Sequence, residues 1–303
     1  VIRLGPRGAI DWPRIAVVGL PYAWLLVFFA LPLLIVGRIS LSEPVLGTPP
    51  YSPLVAFEEG GAVRVAGKLD NYALVFGDPL YLDALIVSLR TAFVSTVVCL
   101  LIGYPMAYAI ARAQPRLRSV LLVFVVLPFW TSFLIRIYAW MGILNSNGLI
   151  NSALLGLGFV DQPLALLHTE FAVHLGIVYG YLPFMVLPLY AVLERMDATL
   201  LEAAADLGAR PWRAFVSVTL PLSLPGVAAG CLLVFIPAVG EFVIPELLGG
   251  GGSNMLGRAI WTEFFANRDW PQASALAVVI LALVVAPFMA MRRNVERSQE
   301  REA

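Results

Sequence analysis

Charge is what this sequence has least of. Asp, Glu, Lys and Arg make up 13% of its 303 residues, about half the share found in an ordinary soluble domain. Lysine occurs once, at Lys68, and no G-x4-G-K-[ST] run surrounds it, so the backbone cradle that holds nucleotide phosphates is missing. Acidic and basic residues balance at 20 each, which leaves no basic field of the kind that draws nucleic acid. Histidine and cysteine occur twice each. His168 and His174 lack the spacing of a metal pair on one helix face and read as ordinary polar side chains. Cys99 and Cys231 both fall in apolar runs, where a small packing role is expected rather than a disulfide. No nucleophile–base or metal-ligand constellation stands out, so an enzyme is not expected.

What is abundant is apolar sequence, 60% of the chain. Residues 15–37, 171–193 and 272–291 are free of charge. Each run is long enough to cross a hydrocarbon core of ~30 Å at 1.5 Å per residue. Three further runs carry one or two charges: 84–109 with Arg90, 119–144 with Arg136, and 222–248 with Glu241 and Glu246. The expectation is an all-α integral membrane protein of six transmembrane helices. The first run has no small-residue cleavage site and is read as a retained span rather than a removed signal peptide.

With the N-terminus placed in the cytoplasm, thirteen Lys and Arg fall on the cytoplasmic side and five on the other. That bias puts both termini inside. The resulting plan is a basic arm over 1–14, a six-span transmembrane domain over 15–291, and a polar tail over 292–303. An external excursion at 38–83 reads as irregular in its proline-rich first half; its 70–83 end is expected to cap the external mouth. A second external loop covers 145–170. Gly249 to Gly252 predict a flexible or sharply turned stretch, and 256–265 a short amphipathic helix.

The cytoplasmic segment 194–221 carries the densest local signal. Thr199-x-x-Glu202 fits a capping box. Leu200, Ala204 and Leu207 fall on one narrow apolar face. Ala203, Ala204 and Ala205 keep the helix slim. Gly208 suits the left-handed residue that ends a helix, and Pro211 the first position of the next. Leu220-Pro221 marks the expected turn back into the bilayer. As local structure this is a helix–turn–helix at the membrane face.

Glu202-Ala203-Ala204, Gly208, Leu220 and Pro221 also match the spacing E-A-A-x3-G-x9-I-x-L-P, with Val218 in place of Ile. The segment resembles the EAA loop of permease subunits in ATP-binding-cassette importers. The stretches at 132–138, 182–188 and 268–271 are similar to polyamine importer permeases, and 240–250 is more similar to the putrescine-type branch than to the spermidine-preferring one. The resemblance spans roughly residues 70–291.

It implies a type I ABC importer fold and no resident cofactor, ATP being bound by a partner. The implied partners are a cytoplasmic ATPase dimer, a second permease subunit, a periplasmic binding protein, a polyamine substrate and the lipid bilayer. Glu202, Ala203, Ala204, Gly208, Arg210, Leu220 and Pro221 would then couple to the ATPase.

A polycation needs acceptor oxygens and ring faces on its route. Glu241 and Glu246, beside Pro237 and Pro245 where the helix is expected to break, are the candidate carboxylates; Trp130 and Tyr181 are the favoured rings. Alternatives stay open: Glu246 at the external interface, Glu241 paired with Arg136 or Arg90, a cargo other than polyamine, or an ion-coupled transporter working alone.

Overall fold

The computed structural model describes residues 12–57, 63–65, 67–251 and 253–285. Residues 1–11 of the basic arm, the end of the sixth apolar run and the 292–303 tail lie outside them. The chain divides into two units, Asp78–Thr262 and the pair Val1–Gly77 with Glu263–Ala303.

Of the six runs expected to span, four are, among the described residues, helices long and apolar enough to cross a membrane, or five with a bent pair counted as one. Val17–Ile39, Pro79–Arg112, Glu170–Glu194 and Pro211–Val239 are each long and apolar enough to cross a membrane. A fifth is a bent pair, Pro115–Trp130 with Phe133–Gly156, broken at 91°. The sixth run is represented by Trp270–Val285. The run expected as a span at 119–144 is thus broken near its middle. Thr131 and Ser132 take extended conformations, and Pro128 in the preceding 3-10 turn has no N–H to keep the helix ladder going.

The larger unit is organised by three helices, Pro79–Arg112, Glu170–Glu194 and Pro211–Val239. Lipid gives apolar helices no hydrophobic reason to associate, so contact depends on close fit. Glycine provides it here. A Cβ at Gly230 would lie 2.7 Å from Met185 Sδ and 3.1 Å from its carbonyl oxygen; one at Gly103 would lie 2.9 Å from Met185 Cγ. Met185 is fully buried between the two glycines. One turn along, a Cβ at Gly226 would lie 3.1 Å from the Pro188 carbonyl oxygen. Cys99 is buried in the same core, its thiol 3.7 Å from the Val178 carbonyl, and neither cysteine is in a disulfide.

In the smaller unit, no residue of the best membrane-spanning window of Val17–Ile39 is buried. The first half of the 38–83 excursion is less irregular than expected: Val55–Phe57 pairs antiparallel with Val63–Val65. Asn71 donates to the carbonyls of Ser40 and Ser42, 2.9 Å each. Asp70–Gly77 is a helix, while 79–83 already belong to the long helix that Asp78 caps at Leu80 N–H. The 145–170 loop contains the helix Leu149–Gly156 and is clasped by buried Asn151, which bonds the backbone of Asn145 and Leu164.

The three-helix contact makes a direct prediction. Gly230→Ala should destabilise the purified protein by about 1–3 kcal/mol through overpacking. Gly142→Ala, where nothing lies within 4 Å of the added carbon, should be neutral or stabilising by up to about 1 kcal/mol. Thermal unfolding in detergent compares them, and equal midpoints would show that Met185 simply moves aside.

Candidate functional sites

Two regions gather the residues singled out by sequence. The first runs from Asp197 to Pro221. Thr199–Asp206 is a helix, but Thr199 is not its cap. Ala198 holds the N-cap position, and Asp197 before it accepts the Thr199 N–H at 3.0 Å, a bond that holds its carboxyl below the usual range. Glu202 lies exposed in the first turn. The other end matches expectation. Gly208 has φ +78°, its N–H bonds the Ala205 carbonyl at 2.8 Å, and the Ala209 N–H bonds the Ala204 carbonyl at 3.0 Å, the paired closure of a Schellman motif. Arg210 is extended and its carbonyl accepts the Ala214 N–H, with Pro211 at the first position of the new helix.

Leu220-Pro221 is a second correction. It is no turn: the helix runs on through it from Pro211 to Val239. Pro221 cannot donate to the carbonyl four residues earlier, and the ladder widens just before it into the π turn Phe215–Thr219. Phe215, at that turn, meets Tyr104 and Tyr108 edge-on at 5.6 and 6.2 Å and stacks on Trp212. Tyr104 also bonds Ser223 at 2.8 Å. The segment is thus fixed to the end of Pro79–Arg112. It leaves an open groove of about 550 Å³ lined by Leu207, Gly208, Ala209, Trp212, Arg213, Val216 and Ser217. Leu207 and Trp212 are 89% and 72% exposed, so among the described residues little covers the Leu207 end of the apolar face foreseen from spacing.

The second region surrounds Glu241. The helix that runs from Pro211 ends at Val239, and the break falls at Gly240 rather than at Pro237, which the helix passes through. Glu241 is 7% exposed. Its Oε1 accepts the N–H groups of Phe242, Val243 and Ile244, at 3.1, 3.0 and 3.4 Å, where the short helix Val243–Leu248 starts. Its Oε2 accepts the Tyr181 hydroxyl.

It pairs with neither arginine considered for it. Arg90 bridges Glu170 at 2.8 Å. Arg136 lies over the rings of Phe129 and Phe133, 5.4 and 5.6 Å from their centroids, contacts of about 0.5–2 kcal/mol each. Glu246 pairs with Arg258 at 2.8 Å. The short helix is held by glycine again: a Cβ at Gly176 would lie 2.8 Å from Ile244, and one at Gly257 2.6 Å from the Glu241 carbonyl oxygen.

Of the four favoured side chains, the fold joins Tyr181 to Glu241. Trp130 is 78% exposed at the kink. Sequence reasoning overlooked Phe184, whose ring lies 6.1 Å from Tyr181 and 5.2 Å from Phe129; the shared L-P-F triplets at 127–129 and 182–184 were the available signal. His174 bonds Ser95 at 2.9 Å and His168 faces the Gly249 carbonyl at 3.2 Å. The glycine stretch is sharply turned and tightly packed at Gly249 and Gly250, where added carbons would lie 2.4 Å from carbonyl oxygens.

Comparison with known proteins adds a second line of observation. A model of the family described as binding-protein-dependent transport system inner membrane component matches residues 99–301. The spermidine/putrescine transport system permease protein PotB of Haemophilus influenzae is 40% identical over 288 residues, 94% of this chain and 96% of that one. Its Escherichia coli namesake is 38% identical over 283 residues, 92% and 98% of the two chains. A chain in the crystal structure of a bacterial alginate ABC transporter in complex with alginate pentasaccharide-bound periplasmic protein superposes with TM-score 0.64. That match covers 93% of this chain and 95% of that one at 19% identity, a likeness of fold.

Glu241 and Glu246 should differ sharply in stability. Glu241→Ala strands three N–H groups and one hydroxyl, at about 1–3 kcal/mol for each one left buried. Glu246→Ala removes a half-exposed pair worth about 0–1 kcal/mol. Thermal midpoints of the purified variants should separate by several degrees, with Glu241→Ala the lower.

Proposed function

The chain belongs to the binding-protein-dependent transport system inner membrane components, and from that premise we propose that it is the permease subunit of an ATP-driven polyamine importer. The observation that carries the polyamine reading is the end-to-end similarity to two relatives named for spermidine and putrescine. Putrescine is the favoured cargo, on the resemblance of 240–250.

The segment 194–221 is the proposed handle for a cytoplasmic ATPase dimer, with Glu202, Ala203, Ala204, Gly208, Arg210, Leu220 and Pro221 shaping it. The uncovered apolar groove beside Gly208 supports this: Leu207 and Trp212 are exposed beside a helix kept slim by alanine. ATP is bound by that partner and no cofactor by this chain. A second permease subunit completes the channel, and a periplasmic binding protein delivers the solute on the opposite face. Both termini are cytoplasmic in this reading. Tyr181 and Glu241 lie on the substrate route, Trp130 offers it an exposed face, and Glu246 stands beside it with its charge matched by Arg258.

The test is reconstitution with the cognate ATPase, second permease and binding protein in proteoliposomes. Labelled putrescine should enter only when ATP is supplied, and excess spermidine should compete weakly. Ala204→Trp and Gly208→Val should each abolish the stimulation of ATP hydrolysis by loaded binding protein while leaving the amount of folded permease unchanged. A β-branched side chain is strained at positive φ, and an indole at 204 widens the slim helix. Normal stimulation in both variants would remove the handle. Uptake driven by an ion gradient without ATP would replace the importer with a secondary transporter, and exclusion of all polyamines would overturn the cargo.

A further inference from the structure

A cation inside an apolar span needs a reason to be there. Arg136 lies in the second arm of the bent span. Among the described residues no carboxylate comes within ion-pair distance of it, and its Nε is buried without a hydrogen-bond partner. Arg118 in the same unit shares the bare Nε but spends its terminal nitrogens on Glu194 at 2.7 Å and on the carbonyls of Ala111 and Ala113 at 3.1 and 3.4 Å. Arg136 has ring faces instead. The kink brings Phe129, before the break, and Phe133, after it, against one guanidinium.

Those rings belong to a longer series. Phe129 contacts Phe184, Phe184 contacts Tyr181, and the Tyr181 hydroxyl ends on Glu241. Phe133 is held against Gly180, 3.8 Å from where a Cβ would be. A ring face attracts any cation that has lost part of its water, whether guanidinium or ammonium. Phe184 is 38% exposed, so the described residues of this chain leave part of the series uncovered. A series of rings that starts at a bound cation and ends at a carboxylate has the chemistry to hold an alkyl chain with an ammonium at each end.

We propose that Phe129, Phe133, Phe184 and Tyr181, with Glu241 at one end, form an organic-ammonium site on the transport route, and that Arg136 occupies it as a built-in cation until a substrate ammonium displaces it. The inference rests on the polyamine reading. Arg136 then does two things. It satisfies the rings when no substrate is present, and its positive charge opposes entry of small cations that lack the affinity to displace it. Its flexible stem allows it to leave without disturbing the helix that carries it.

The test uses the complete reconstituted importer with putrescine as probe. ATP-driven uptake by the unaltered complex comes first; its failure would count against the cargo, not against this site. Arg136→Met keeps length and removes charge. It should assemble normally and raise ATP-independent putrescine efflux by about fivefold, the scale of one cation–ring contact. Arg136→Lys keeps the charge and should stay as tight as the unaltered complex. Adding Phe129→Leu to Arg136→Met should bring the efflux back down, because the attracting face is gone. Unchanged efflux and uptake in Arg136→Met, or equal leakage from Arg136→Lys, overturns the proposal, the second outcome assigning the effect to packing. Should Arg136→Met not assemble, Phe129→Leu alone decides: full yield with uptake slowed severalfold supports the site, and unchanged uptake removes it.

Discussion

Close approach of three apolar helices is the constraint on which the rest of this molecule depends. In a bilayer, leucine gains nothing by leaving lipid for another leucine, so a bundle is held by fit, dispersion and the few polar bonds its interior can satisfy. Gly103 and Gly230 admit Met185 from opposite sides, and Gly226 admits the backbone at Pro188. Each glycine costs helix propensity, which tight packing offsets. The same crossing positions both candidate regions. Toward one end it presents Tyr104 and Tyr108 to Phe215. Toward the other, Gly176 seats Ile244 and Leu248 of the short helix that Glu241 starts.

Glu241 shows how a carboxylate survives such surroundings. Ionised and without partners it would be expensive; here one oxygen takes up the N–H groups freed by the helix break and the other takes a phenol. Three of its four donors are backbone, so the group is structural on one side. Only the Tyr181 bond is made by a side chain that a passing ammonium could supplant. The backbone bonds and the phenol bond therefore fall on different oxygens of one carboxylate.

The sequence was most legible where a single residue type answers a single demand. Apolar runs located the spans, Gly208 marked a left-handed closure, and Pro211 a helix start. It was least legible where two residues compete for one task. Asp197, not Thr199, supplies the side-chain bond at that helix start because its carboxylate reaches the free N–H two residues on. Pro237 was a plausible breaker, yet the helix absorbs it, as membrane helices absorb proline when neighbours hold them, and Gly240 ends the span instead. The 91° kink at Thr131–Ser132 carries no hydropathy signal, since both arms are apolar. The Arg136 site was hidden for the same reason: its rings come from the two sides of that kink and from a different helix.

The π turn at Phe215–Thr219 has a geometric consequence for the groove beside it. A π turn takes up one residue more than an α turn, and one residue is about 100° of rotation around a helix axis. Trp212 and Arg213 thus point about 100° away from where an unbroken helix through Leu220 would aim them. The groove exists in its present direction because of that phase offset. Its heading is set by one surplus residue just ahead of a proline, independently of which side chains line it.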